Sequence, residues 1–255
     1  MSSTGRRLDG KVAIVTGGAS GFGKAIAGLF AQQGAKVVIA DLSAEAGQAV
    51  AKATGGVFTV ADVTKRSDWE KLLALALDKF GGLDIVVNNA GTSYRAKPTE
   101  DVTDKDYDLV FDVNVRSVYL SGSVILPYFL KNDRPGNFIN ISSASALRPR
   151  PKLVWYAASK GAVSNATRAL AIEYARRKIR FNTVNPGPAI TGLKDAFSGG
   201  AKDPDAAMVR MVEDSVPMGH PAETIDIANA CLFLASEESA FVTGIELPVD
   251  GGRCA

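Results

Sequence analysis

The sequence predicts an α/β fold, a doubly wound parallel sheet of about seven strands with helices on both faces, built as a single domain. Two observations predict it. Short apolar runs rich in β-branched residues alternate with longer amphipathic runs from residue 11 to residue 249, the pattern of parallel strands joined by crossover helices. No linker, low-complexity tract or internal repeat breaks that rhythm across 255 residues, a length one large α/β domain can fill.

Taken in order, residues 11–16 (KVAIVT) read as a buried strand and 21–33 as a helix. Residues 36–40 form the second strand, 44–53 a helix and 56–60 the third strand. Ser67 and Glu70 have the spacing of a capping box for a helix that runs to Phe80, with Gly81 as its stop. Strands follow at 83–88, 137–142 and 179–185, separated by helical pattern over 104–131 and 155–177. A helix at 222–236 and a strand at 245–249 close the chain. Residues 192 to about 215 lack a clean period and carry Gly199 and Gly200. They predict a mobile insertion after the sixth strand, overlying the carboxyl ends of the strands.

Composition excludes several functions. Charge is nearly balanced, with 29 Lys and Arg against 27 Asp and Glu, whereas a dedicated nucleic-acid binder needs a strongly basic face. Hydrophobic residues make up 46% and charged residues 22%, which excludes global disorder. Two cysteines, Cys231 and Cys254, cannot build a disulfide framework and point to a reducing compartment. The one histidine, His220, rules out a multi-histidine zinc site, so no metal is expected. No apolar run follows Arg6 and Arg7, so the N-terminus does not read as a signal peptide. The stretch 118–130 is broken by Ser121, Gly122, Ser123 and Pro127 and reads as too short to cross a bilayer. A soluble, cytoplasmic protein without nucleic-acid or membrane partners is expected.

Directly after the first strand comes Thr16-Gly17-Gly18-Ala19-Ser20-Gly21-Phe22-Gly23. A phosphate loop is nearly matched, but Ala25 stands where a hydroxyl should ligate magnesium. The other reading is a dinucleotide turn, in which glycines let the backbone approach a pyrophosphate at a helix N-terminus. Asp41 decides between them. It ends the second strand, twenty residues after Gly21, where a carboxylate accepts bonds from ribose hydroxyls and repels a 2′-phosphate. NAD is therefore favoured over NADP.

Tyr156 and Lys160 lie four apart at the start of a helical run, on one face. An ammonium near a phenol favours the phenolate, which makes Tyr156 a general acid/base that needs no histidine. Alone that spacing is a weak signal, and its company on the same fold gives it weight. Asp62 and Val63 follow the third strand, Asn88-Asn89-Ala90-Gly91 the fourth, and Asn114 lies in the long helix. Ser143 precedes Tyr156 by thirteen residues, and Pro186-Gly187 leads to Thr191. With these motifs in this order over residues 8–255, the chain resembles the single-domain branch of the short-chain dehydrogenase/reductase family.

The resemblance implies a Rossmann-type fold and roles for these positions. Tyr156 exchanges a proton with the substrate oxygen, Ser143 hydrogen-bonds that oxygen, and Lys160 binds the nicotinamide ribose and lowers the tyrosine pKa. Asn114 holds a water in the proton relay. Gly17, Ser20, Gly21, Phe22 and Gly23 cradle the pyrophosphate, Asp62 and Val63 contact adenine, and Asn89, Ala90 and Gly91 border the ribose. Pro186, Gly187 and Thr191 reach the nicotinamide. Read from the residues alone, Ser142 competes with Ser143, Asn114 serves equally as a backbone brace, and Thr191 as a helix cap. A homotetramer or dimer is implied, through helices 104–131 and 155–177.

The implied activity is NAD-linked interconversion of a secondary alcohol, such as a polyol or sugar, with its ketone. An NADPH-dependent 3-oxoacyl thioester reductase is the alternative within the family. A non-catalytic NAD-binding sensor and a phosphoryl-transfer enzyme are readings from other classes. Arg95, Lys97, Arg148, Arg150 and Lys152 fall in segments that wall the pocket, and they raise the expectation of an anionic substrate against that of a solvated surface.

Overall fold

A computed structural model describes residues 5–255, so the first four residues of the N-terminal segment lie outside the described residues. Seven strands form one sheet in the order β3-β2-β1-β4-β5-β6-β7. They are β1 Val12–Thr16, β2 Lys36–Asp41, β3 Val57–Val60, β4 Ile85–Asn88, β5 Gly136–Ile141, β6 Ile179–Pro186 and β7 Glu246–Val249. Every ladder is parallel. The order reverses between β1 and β4, and such a switch point opens a crevice at the carboxyl ends of the strands.

Period-two alternation along the strands divides the core between the two faces. Ala13 and Val15 of β1 join Ile26, Phe30, Ile227 and Leu232 on one face. Val12 and Ile14 join Trp69, Leu72, Phe129 and Phe181 on the other. The first face is covered by α1 (Gly21–Gln32), α2 (Ala44–Thr54) and α9 (Thr224–Ala235). The second is covered by α3 (Arg66–Phe80), α5 (Ser117–Lys131) and α6 (Val154–Tyr174). Phe138 and Phe181 stack across β5 and β6 with centroids 4.5 Å apart. Truncating either to alanine would cost about 3–5 kcal/mol.

Three local expectations need correction. The Ser67–Glu70 box does not form, because α3 begins at Arg66 with Lys65 as its N-cap residue. Asp68 takes over the junction by accepting from the Asp62 amide at 2.9 Å, which ties the exit of β3 to the helix. The stop at Gly81 is observed, in the left-handed conformation.

The predicted helix 104–131 is continuous but not uniform. It comprises α4 (Asp104–Phe111), a π-helical turn (Asp112–Arg116) and α5. By length and composition the whole run could span a bilayer, contrary to the sequence reading, which measured only its apolar part. Half of its most apolar stretch is buried within the fold, as expected of a core helix.

The segment read as aperiodic holds two helices, α7 (Lys194–Phe197) and α8 (Pro204–Ser215). Asp203 caps α8 by accepting from the Ala206 amide at 3.0 Å, and Pro204 sits in its first turn.

Candidate active site

The glycine turn after β1 is held by side chains from its neighbours. The buried Thr16 hydroxyl accepts from the amides of Asn89 and Ala90, each at 3.1 Å. The Asn89 amide group donates to Thr16 O at 2.8 Å and Gly17 O at 3.1 Å. A side chain at Gly23 would place its Cβ 2.0 Å from Gly17 O, so only glycine permits the turn to fold back on its own helix. Gly17 itself has a φ of +61°, a conformation glycine adopts without steric cost.

Beside this turn lies a cleft of about 420 Å³. Of the residues expected to hold a dinucleotide, Gly17, Ser20, Gly21, Phe22, Asp41, Asp62, Val63, Asn89, Ala90, Gly91 and Thr191 line it. Gly23 lies beneath the turn. The N-terminus of α1 opens beside the cleft with no acidic residue in its first turn, a backbone arrangement that suits a pyrophosphate. The Asp41 carboxylate accepts from the Ala19 amide at 3.0 Å and the Ser43 amide at 3.0 Å. Each of its oxygens keeps lone-pair capacity for a ribose hydroxyl. Among the described residues, no Lys or Arg lines the cleft. Burial pushes the Asp62 carboxyl upward, but bonds from the Thr64 hydroxyl and amide and from Lys65 outweigh it and hold the group below the usual range. The residues present fit a dinucleotide. Sequence reading missed Leu42, Leu109 and Leu193 in the same walls, because isolated leucines carry no motif.

Tyr156 and Lys160 lie on the first turns of α6, both buried. The Lys160 ammonium donates to Ile141 O at 2.9 Å, and burial pulls its pKa down to about 8. Tyr156 lies beside the Ser143 hydroxyl, near enough for that group to act on its ionisation. Burial pushes its phenol above the ordinary value, while the Ser143 hydroxyl and the Arg150 charge oppose that shift. Among the charges, Arg150 is the one that opposes that rise.

Ser142 and Ser143 are now distinguished. Ser142 Oγ is buried against Lys160 O and Ser164 Oγ, each at 3.0 Å, which makes it a brace for α6. Asn114, in the π-helical turn, accepts from the Thr92 amide at 2.8 Å. It also donates to Thr92 O and to Ser159 Oγ, each at 3.0 Å. A Cβ added at Gly91 would lie 3.2 Å from Lys160 Nζ and 3.4 Å from Asn114 Oδ1. Gly91 thus brings the cleft wall against both groups. Thr191 Oγ1 accepts weakly from the Leu193 amide at 3.5 Å just before α7, so it is not the helix's N-cap residue.

A second, smaller pocket of about 40 Å³ adjoins Ser143, with Pro186 and Gly187 in its wall. Those two residues therefore border this pocket and not the cleft. Phe197 and Met211, from the insertion, close it, and the Phe197 ring packs 5.2 Å from that of Tyr156. Of the five cations read as one group, only Arg150 lines this pocket. Lys97 is paired with Asp106 at 2.6 Å, and Arg148 donates to Arg253 O at 2.6 Å. Arg95 and Lys152 are exposed. The pocket's other guanidinium is Arg253, which no motif announced.

A parallel sheet with its crevice at the switch point, and a buried Tyr-Lys pair beside it, define a nucleotide-linked oxidoreductase. A family model described as enoyl-(acyl carrier protein) reductase matches residues 17–253. The 4-formylbenzenesulfonate dehydrogenase of Comamonas testosteroni is 44% identical, over 96% of this chain and 98% of that one. The NADP-dependent (R)-specific alcohol dehydrogenase of Lentilactobacillus kefiri is 38% identical, over 98% of each. The solved 3-ketoacyl-(acyl-carrier-protein) reductase of Brucella melitensis complexed with NADH is 40% identical, with a TM-score of 0.90 over 97% of this chain and 100% of that one. The chain belongs to the short-chain dehydrogenase/reductase family and is an oxidoreductase that works with a nicotinamide cofactor.

Proposed function

We propose that this protein is an NAD(H)-dependent dehydrogenase that interconverts a secondary alcohol, such as a polyol, sugar or other hydroxy compound, with its ketone. The observation that carries the reading is the buried Tyr156, set beside Ser143 of the small pocket and one helical turn from Lys160, which reaches the Gly91 wall of the nucleotide-sized cleft. Nicotinamide, when bound, accepts or supplies the hydride. Tyr156 Oη exchanges the proton of the substrate oxygen, and Ser143 Oγ hydrogen-bonds that oxygen. Lys160, anchored on Ile141 O, keeps two N–H donors for the nicotinamide ribose. Asn114 braces Thr92 and holds a water of the relay next to Lys160. Asp41, and a cleft wall with no Lys or Arg among the described residues, support NAD over NADP. The insertion carrying α7 and α8 is the mobile cover of the substrate pocket.

The test is nicotinamide absorbance across alcohols and ketones, with NAD and NADP in parallel. At least a tenfold preference for NAD, reduced in Asp41→Ala, is expected, and preference for NADP contradicts the cofactor assignment. Similarity to the Brucella reductase favours a second reading, reduction of a 3-oxoacyl thioester. Faster turnover of acetoacetyl thioester than of any alcohol pair would put that reading first.

Assembly as a homotetramer or dimer through α5 and α6 fits the same reading. An apolar groove of about 360 Å³ runs between them, bordered by Tyr119, Leu126 and Ala166. A monomer in light scattering would contradict it. Two free cysteines fit a reducing cytoplasm.

A further inference from the structure

Arg150 and Arg253 both line the pocket beside Ser143, and Arg253 is only 7% exposed. Among the described residues neither guanidinium has an acidic partner within ion-pair distance. Arg150 spends donors on Phe197 O at 2.5 Å and Met211 Sδ at 2.8 Å, and Arg253 spends one on Arg148 O at 3.1 Å. Each guanidinium carries five N–H donors, so most of them are left for another group. The one nearby carboxylate of the tail, Asp250, is committed to backbone. It accepts from Gly252 N at 3.0 Å and Cys254 N at 2.9 Å, and that turn carries Arg253 over the pocket. Holding a buried guanidinium beside a half-buried one without a counter-ion is costly. The cost is offset when an anion enters, because guanidinium bonds to carboxylate or sulfonate are charge-assisted and geometrically matched. Apart from Ser143 and Ser145, the remaining side chains of the wall are apolar, Leu153, Phe197 and Met211 the largest of them.

We propose that Arg150 and Arg253 form the receptor for an oxyanion, a carboxylate or sulfonate, carried by an apolar hydroxy or oxo substrate. The inference rests on the dehydrogenase reading for the meaning of "substrate", but the anion site itself can be tested apart from turnover. The pocket of about 40 Å³ is too small for such a molecule as it stands. The anion takes donors that Arg150 and Arg253 leave unspent, and α7 and α8, held to Arg150 through Phe197 O and Met211 Sδ, withdraw to admit the rest of the substrate. Nucleotide is unlike this ligand in position, since its pyrophosphate belongs to the glycine turn on the other pocket.

The test titrates para-toluenesulfonate and para-toluate onto NADH-saturated protein by calorimetry, for wild type, Arg253→Gln and Arg253→Lys. Glutamine retains an N–H donor for Arg148 O, so the tail keeps its anchor. The expected result is submillimolar binding of at least one anion, weakened at least tenfold in Arg253→Gln and partly restored in Arg253→Lys. Equal binding in wild type and Arg253→Gln, or no binding to wild type, overturns the proposal. In parallel, para-(hydroxyethyl)benzoate and para-(hydroxyethyl)benzenesulfonate are compared with neutral para-methylphenylethanol as NAD-linked substrates. The ratio of kcat/KM for anion over neutral alcohol should fall at least tenfold in Arg253→Gln, and an unchanged ratio overturns the proposal. Arginine-dependent anion binding without nicotinamide turnover of any alcohol would support the anion site and contradict the dehydrogenase reading instead.

Discussion

In the nucleotide cleft, Asp41 and Asn89 hold the glycine turn by hydrogen bonds to its backbone, and the Thr16 hydroxyl ties it to the Asn89 and Ala90 amides. In the pocket beside Ser143, the walls come from residues 143–153, 186–188, 197, 211 and 253, and Arg150 is held by a carbonyl and a thioether from the insertion. The first region is also drawn from several segments, but its glycine turn is braced by Asp41 and Asn89, side chains of the sequence motifs themselves. The second is assembled from distant segments, and the partners of Arg150 come from the insertion and not from any motif. A scaffold of this kind fixes one ligand rigidly and leaves the other to be set by loops.

That contrast can be broken most sharply at Gly23. Gly23→Ala sets a Cβ against Gly17 O, and NADH binding followed by fluorescence should weaken by about a thousandfold, roughly 4 kcal/mol. Unchanged affinity would mean that the turn is not rigid. At the boundary of the two regions, Lys160→Met should abolish activity yet stabilise the fold. Burial lowers the Lys160 pKa from 10.5 to about 8, so folding disfavours its charged form. At pH 7 the full penalty is present, on the order of 3 kcal/mol, and it vanishes as pH rises from 8 past 10.5. Urea denaturation should therefore show the mutant ahead at pH 7, with the gain shrinking in alkali.

Removing the brace at Asn89 should have a smaller effect. Asn89→Ala loses two bonds to the turn, and NADH affinity should fall about tenfold, roughly 1.4 kcal/mol. The smallest effect is expected in the pocket, where Phe197→Ala removes the ring packed on Tyr156. KM for bulky alcohols should fall a few-fold with NADH affinity unaltered. A large loss of NADH binding in that variant would erase the distinction between the two regions.

The same distinction explains what was legible in the sequence. All seven strands and the glycine turn with Asp41 could be read because they depend on short-range pattern, with β-branched runs, glycines and an aspartate at set distances, whereas the cleft leucines Leu42, Leu109 and Leu193 carry no such pattern. The Ser67–Glu70 box was misread because Asp68 found a tertiary partner in the Asp62 amide. The helix α7 is a single turn of four residues, and α8 is marked in the sequence only by its Asp203 cap and Pro204, which the reading passed over. Arg253 was invisible because its place follows from a tail turn closed by Asp250, not from any spacing to Tyr156. Serine 142 and Ser143 could be told apart only by what each touches, since both are buried.

The most direct measurement is alcohol oxidation by Tyr156→Phe beside wild type, read as nicotinamide absorbance, with NADH binding measured on the same samples. The account predicts that kcat falls by about a thousandfold or more while NADH affinity stays within twofold. Wild-type turnover in the mutant, with NADH still bound, would contradict the assignment of Tyr156 as the proton-transferring group.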